Sequence, residues 1–261
     1  MIIQIYEIQH PHEAVQMTAL GATHVGTVLQ TPSDIARPDI QETILAAKRS
    51  GGVSSVIPLF TNEADICRAV EALGFDILHL CDELLHPDGT PVDIGHAMGV
   101  QRRMRKRYPD LRITRSLPVP LAGTSRGLYR GILRLAQELQ QESDVLLIDT
   151  WIAPDEGRAP VAGYVGITGT PCDWDLSRDV VCSVEIPVIL AGGLGPDNVA
   201  EAIRRVRPAG VDSCTRTNAT DGAGKPIRFR KDLTKVEAFV QHAKRAFALF
   251  SKGDQDHVRQ Q

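Results

Sequence analysis

Two glycines directly after an apolar run, in Ala191-Gly192-Gly193-Leu194, are the most chemically suggestive residues of this chain. Glycine has no Cβ, so backbone N–H groups can come close to an anion, and a helix beginning near Pro196 would turn its positive end toward the same point. Such a place suits a phosphate; a tight turn without a ligand is the plain alternative. His79 and Cys81 lie two residues apart, so on a strand they share a face and could hold a metal, against the simpler reading of a histidine packed in the protein interior. The five cysteines, Cys67, Cys81, Cys172, Cys182 and Cys214, are odd in number and form no Cys-x-x-Cys pair, so reduced thiols are expected.

These residues need elements to carry them, and the apolar pattern supplies such elements. Short runs rich in Val, Ile and Leu recur at Ile2–Ile8, His24–Leu29, Val53–Leu59, Asp76–Leu80, Leu111–Leu117, Val145–Asp149, Pro187–Ala191 and Gly210–Ser213. Each is followed by a polar loop and a stretch with helical spacing, among them Glu13–Leu20, Ile40–Arg49, Ala64–Leu73, Ser125–Gln141, Val199–Val206 and Leu233–Leu249. Eight strand-helix units in 261 residues predict a single α/β domain, a (β/α)8 TIM barrel over residues 1–250 with a charged tail over 251–261. No Gly-x-Gly-x-x-Gly follows the first strand, so a dinucleotide fold is unsupported. In such a barrel the chemistry belongs at the C-terminal ends of the strands.

Composition narrows the function classes. The formal charge of −3 offers no basic field for nucleic acid, and the densest basic run, Gln101 to Arg107, is expected to be a solvated helix face. No apolar run approaches the roughly 20 residues that cross a bilayer, and the chain goes straight into Ile2-Ile3-Gln4-Ile5-Tyr6. A cytoplasmic protein with no membrane or nucleic-acid partner is expected, and a homodimer is left open.

The segment from Pro187 to Ile203, Leu59-Phe-Thr-Asn-Glu, Leu146-Leu-Ile-Asp-Thr and the stretch Gly169…Asp173-Trp174 together resemble phosphoribosylanthranilate isomerases of tryptophan biosynthesis along nearly the whole chain. The resemblance implies an Amadori rearrangement, in which a phosphoribosylamine ring opens and an aldose becomes a ketose. It implies a small phosphorylated sugar as substrate and no cofactor, since proton transfers suffice. Phosphate would be held by Gly192, Gly193 and Leu194 together with Cys214, Thr215 and Arg216, where the family's small-residue loop has become Ser213-Cys-Thr-Arg-Thr-Asn218. Arg216 could grip an anion as a fork or lie on the surface. The following insertion, Ala219 to Lys231, is either a lid or a tolerated extension.

The resemblance assigns the general acid to Asp149, with a loop-capping aspartate as the alternative. It places Tyr6 where the family has its cysteine base. A tyrosine near its ordinary pKa of about 10 is a poor base at neutrality. Glu7 is the next candidate, although alternation along a strand points it away from the barrel axis unless the strand bends or ends there. For the substrate's carboxylate the resemblance implies an arginine after strand two; Arg37, in Thr31-Pro-Ser-Asp-Ile-Ala-Arg37, either reaches that anion from a shifted position or is a plain helix-entry arginine, His79 forms a changed pocket wall, and Arg115, at the end of strand five, is expected to face the pocket. Trp174 and Asp173 are expected to pack the sixth helix. Three functions follow: an isomerase of phosphoribosylanthranilate or a near analogue, a paralogue acting on another phosphosugar, or a non-catalytic phosphosugar-binding barrel.

Overall fold

Every residue of His24–Leu29 is buried, which a strand achieves only when both faces of its sheet are covered. The computed structural model, which describes residues 1–123, 126–153 and 161–258, covers them by closure: eight parallel strands form one barrel in sequence order, with β8 returning to β1. The strands are β1 (Ile2–Ile5), β2 (His24–Leu29), β3 (Val53–Pro58), β4 (Ile77–Leu80), β5 (Arg112–Val119), β6 (Val145–Thr150), β7 (Val188–Leu190) and β8 (Gly210–Ser213). Alternating with them are the helices α1 (Pro11–Leu20), α2 (Pro38–Arg49), α3 (Glu63–Leu73), α4 (Gly95–Arg107), α5 (Arg126–Leu139), α6 (Trp174–Ser183), α7 (Val199–Val206) and α8 (Leu233–Val258). Ser125 and residues 259–261 lie outside the described residues. No described helix is long and apolar enough to cross a membrane.

Strand parity divides the side chains. Ile3, Ile5, Leu146, Ile148 and Val211 point outward into a continuous core with Val236, Phe239 and Val240 of α8, and all are buried. Burial of each such side chain contributes roughly 1.5–3 kcal/mol, so most of the stability resides in this wall-to-helix layer. Inside the barrel Val145, Leu147, Ile189 and Ala191 form a smaller apolar plug. Beside it stand polar groups: Tyr6, Ser55, His79 and Ser116 make a hydrogen-bonded row across β1, β3, β4 and β5.

Several expectations change once the strands close. β1 ends at Ile5 rather than Ile8, because Glu7 takes a left-handed backbone (φ 63°) that no strand tolerates. α7 begins at Val199, not near Pro196; Asn198 instead ties the intervening loop, accepting from Gly195 N and donating to Gly193 O. Arg115 does not end β5. It stands mid-strand on the outward face, 1% exposed, with Nη1 donating to Asp82 Oδ1 at 2.7 Å and Nη2 to Asp82 O at 3.2 Å. The basic run does form an exposed face of α4, where Arg102, Arg103 and Arg107 pair with Glu142, Glu63 and Glu71. Asp173 caps α6 by accepting from Asp175 N and Leu176 N, and Trp174 packs beside the core. The insertion after β8 folds as an antiparallel pair, β9 (Asn218–Thr220) with β10 (Pro226–Lys231). All five cysteines are free.

The Tyr6 ring fits only because β2 carries a glycine opposite it: a Cβ on Gly26 would stand 2.2 Å from Tyr6 Cδ1. Gly26→Ala is therefore expected to destabilise the barrel by about 1–3 kcal/mol, the usual cost of overpacking. Urea unfolding of Gly26→Ala, Tyr6→Ala and the double variant checks this, since the alanine penalty should largely vanish when the ring is gone.

Candidate active site

The inward positions at the C-terminal ends of the strands converge on one cavity, lined by Tyr6, Glu7, His79, Ser116, Asp149, Asp212 and Cys214 among others. A second, smaller recess adjoins it and shares Asp149, Ile167, Asp212 and Cys214. Its walls are Gly192, Gly193, Leu194, Thr215 and Arg216, so all six residues expected to hold phosphate come together. Arg216 reaches across from the β8 loop to Asp197 at 2.5 Å and Gly193 O at 3.4 Å, which joins the two halves of the recess.

The glycines meet a second demand besides an anion. Gly193 has φ 57°, and a Cβ there would lie 2.5 Å from the carbonyl carbon of Thr170 and 2.7 Å from Pro171 N. Gly166, at φ 99°, would place a Cβ 2.0 Å from Asp149 Oδ2. The loop after β6 can thus lie directly on the aspartate and the recess only because both positions lack side chains. The loop after β4 roofs the same cavity: Glu83 N donates to Gly163 O and Val165 N to Cys81 O.

Two carboxyl groups line both the cavity and the recess. Asp149 is the last inward residue of β6; burial raises it to about 6 against the opposing N–H groups of Thr150 and Gly192. Asp212, on the inward face of β8, is 6% exposed, and burial first and the charge of Asp149 second raise it to about 8, against Gln4 and Lys231. Gln4 Nε2 donates to Asp212 Oδ1 at 3.1 Å. A pair raised this way retains one proton near neutrality, which gives the cavity a carboxylic acid and a carboxylate at once.

The other ionisable groups are quenched or matched. Tyr6 OH bonds to Ser55 Oγ at 2.6 Å and to His79 Nδ1 at 2.8 Å, and burial pushes its pKa well above the ordinary tyrosine value. His79 bonds through Nε2 to Ser116 Oγ at 2.8 Å; burial and then Arg115 lower it to about 3, so the ring is neutral. With no cluster of His, Cys, Asp or Glu fit for a metal among the described residues, His79 and Cys81 line the cavity without pairing as ligands. Burial also pushes the Cys81 and Cys214 thiols up, so neither ionises near neutrality. Glu7 does enter the cavity, because its left-handed turn defeats the parity that would aim it outward. There β10 delivers Arg228, whose Nη2 lies 2.5 Å and Nε 2.7 Å from Glu7 Oε1, while Asn218 Nδ2 donates to Oε2 at 3.4 Å.

Two expected substrate contacts fall elsewhere. Arg37 is 43% exposed at its side chain, where Asp39 and Asp34 hold its guanidinium outside the cavity. Arg115 lines a neighbouring cavity behind the wall with Phe60, Ile66 and Val100. Asp212 was the residue missed in the sequence, although one signal was available: a charged side chain one residue before the end of the short strand Gly210–Ser213 has to be accounted for by burial with a purpose.

A family model described as N-(5'phosphoribosyl)anthranilate (PRA) isomerase matches residues 132–242. The N-(5'-phosphoribosyl)anthranilate isomerase of Haloferax volcanii is 31% identical over 249 residues, covering 94% of this chain and 93% of its own. Isomerase 1 of Methanosarcina mazei is 30% identical over 240 residues, covering 91% and 92%. The structure of N-(5'-phosphoribosyl)anthranilate isomerase from Pyrococcus furiosus has the same fold, with a TM-score of 0.65 at 21% identity over 94% of this chain and 99% of that one.

The raised Asp212 carboxyl costs stability with a definite sign. A carboxyl held above its ordinary value favours the folded chain only while protonated, so stability is fully present below about pH 4 and is lost as pH rises through about 8, by roughly 1.4 kcal/mol for each pH unit between. Asp212→Asn, which copies the protonated shape, is expected to melt at a higher temperature than the wild type at pH 8.5 and at nearly the same temperature at pH 4. Calorimetry at the two pH values checks it, and equal melting at pH 8.5 would count against a raised Asp212.

Proposed function

Because the chain belongs to the N-(5'-phosphoribosyl)anthranilate isomerase family, we propose that it converts a phosphorylated ribosylamine from its aldose to its ketose form, with Asp149 as the general acid. One observation carries this reading: Asp149 lies at the junction of the central cavity and the glycine-lined recess. A sugar phosphate anchored by the backbone around Gly193, Leu194 and Thr215 would extend its ring past that carboxyl. Asp149 then donates to the ring oxygen as the C1–O bond breaks and the nitrogen lone pair forms C1=N. A carboxyl near 6 keeps enough proton at neutrality to serve and is acidic enough to release it.

Tyr6 takes no proton in this reading. Its hydroxyl is already engaged and held protonated, so it packs the cavity floor and orients His79. A second reading, the same rearrangement on a ribosylamine that carries a different amine, is favoured by Arg37, whose guanidinium Asp34 and Asp39 occupy.

The purified chain is expected to consume phosphoribosylanthranilate, followed by loss of the substrate's fluorescence, and to restore growth to a tryptophan auxotroph that lacks its isomerase. Asp149→Asn should lower kcat by about 10²–10⁴-fold, the usual worth of a placed acid, with KM little changed. Phosphosugar binding without turnover of this substrate would shift the search to ribosylamines of other amines.

A further inference from the structure

We propose that Asp212 is the catalytic base that removes the proton from carbon two of the sugar, the step for which the first strand of this chain offers only Tyr6. This rests on the isomerase reading above. The base has to lie in the same cavity as Asp149 and within reach of a sugar whose phosphate occupies the adjoining recess; Asp212 lines both spaces, as Asp149 does. The register of the barrel sets it beside the first strand, since Asp212 pairs with Gln4 and Tyr6 N donates to Ser213 O.

The other candidates in the cavity are engaged. Tyr6 and His79 are hydrogen-bonded to each other and to Ser55 and Ser116. Both oxygens of Glu7 are taken, one by Arg228 and one by Asn218. The Cys81 and Cys214 thiols are held protonated by burial. Asp212 uses one oxygen, Oδ1, to accept from Gln4, and among the described residues Oδ2 accepts no hydrogen bond.

The steps balance with one proton shared by the two carboxyls. Asp149 gives its proton to the ring oxygen as C1–O breaks and C1=N forms. Asp212 then takes the C2 proton, the C–H pair forms C1=C2, and the C1=N π pair returns to nitrogen. In the last step Asp212 returns that proton to C1 while the C2 hydroxyl gives its own to Asp149, which leaves a ketone at C2 and both carboxyls as they began. No oxidant or reductant enters. The charge of Asp149 is one reason Asp212 holds a proton, so the arrangement with the proton on Asp149 is also the one that frees Asp212 to act.

Rates are expected to be bell-shaped in pH, with limbs near the values of the pair, about 6 and about 8. The titratable groups facing Asp212 are Asp149 of β6, Tyr6 after β1, Cys214 after β8 and Lys231 of β10, with Glu7 lining the same cavity. The test compares the wild type with Asp212→Asn on phosphoribosylanthranilate across this range. The expected result is a kcat at least about 100-fold lower with KM within about threefold, and a residual rate that no longer falls on the acid side, because only the requirement for protonated Asp149 is left. An Asn variant within tenfold of wild type overturns the proposal, and so does a slow variant that keeps the acid limb, which would mark Asp212 as a positioning residue. A wild type with no turnover overturns the isomerase reading and this role together, whereas the first two outcomes leave that reading standing.

Discussion

A carboxyl group withdrawn from water must either find a cation or keep its proton, and the mouth of this barrel is organised by that choice. Glu7 takes the first course and is matched by Arg228 from the β10 strand. Asp82 takes it as well, neutralising the buried Arg115 behind the wall. Among the described residues Asp149 and Asp212 have no such partner at contact distance, and burial favours a proton held by the pair. The chemistry proposed for the site uses the two carboxyls that the fold leaves unmatched.

Close packing accounts for that withdrawal from water, which leaves Asp149 partly buried and Asp212 6% exposed. The loop after β6 lies on Asp149 and on the recess because Gly166 and Gly193 have no side chain to hold it off. The loop after β4 is bonded to it through Glu83 and Val165, so the cover is a two-loop structure rather than one arm. On the floor, Tyr6 fills the volume opposite Gly26, and its hydroxyl completes a row of polar groups that would otherwise be buried without partners.

Much of this was legible in the sequence because strand and helix periods are local. The bounds of β2, β8 and α7 fall where the apolar pattern puts them, and the eightfold alternation predicts the closed barrel. That the two glycine- and threonine-bearing loops meet in one recess was legible for a similar reason, since its residues follow two strands directly. Facing was harder. Arg115 read as a pocket residue because its strand was legible and its face was not: it points outward to Asp82, and its neighbour Ser116 is the one that lines the cavity. Asp212 carries no local mark of its partner, because Asp149 comes from β6 and the two meet only once β7 has paired with both of their strands. Glu7 was ambiguous by parity, and its resolution depended on one backbone angle.

The contact between Glu7 and Arg228 spans 221 residues of chain, and β1 finds its second neighbour only in Gly210–Ser213. A chain emerging from the ribosome therefore presents its first strand with one edge unpaired until nearly all of the protein has been made. The cost of closing so long a loop grows slowly with length, but it is met only when the late contacts form. The shared environment of Asp149 and Asp212 is consequently among the last things to exist during synthesis: seven strands can be in place while Asp149 still faces an open side that only β8, with Asp212, closes.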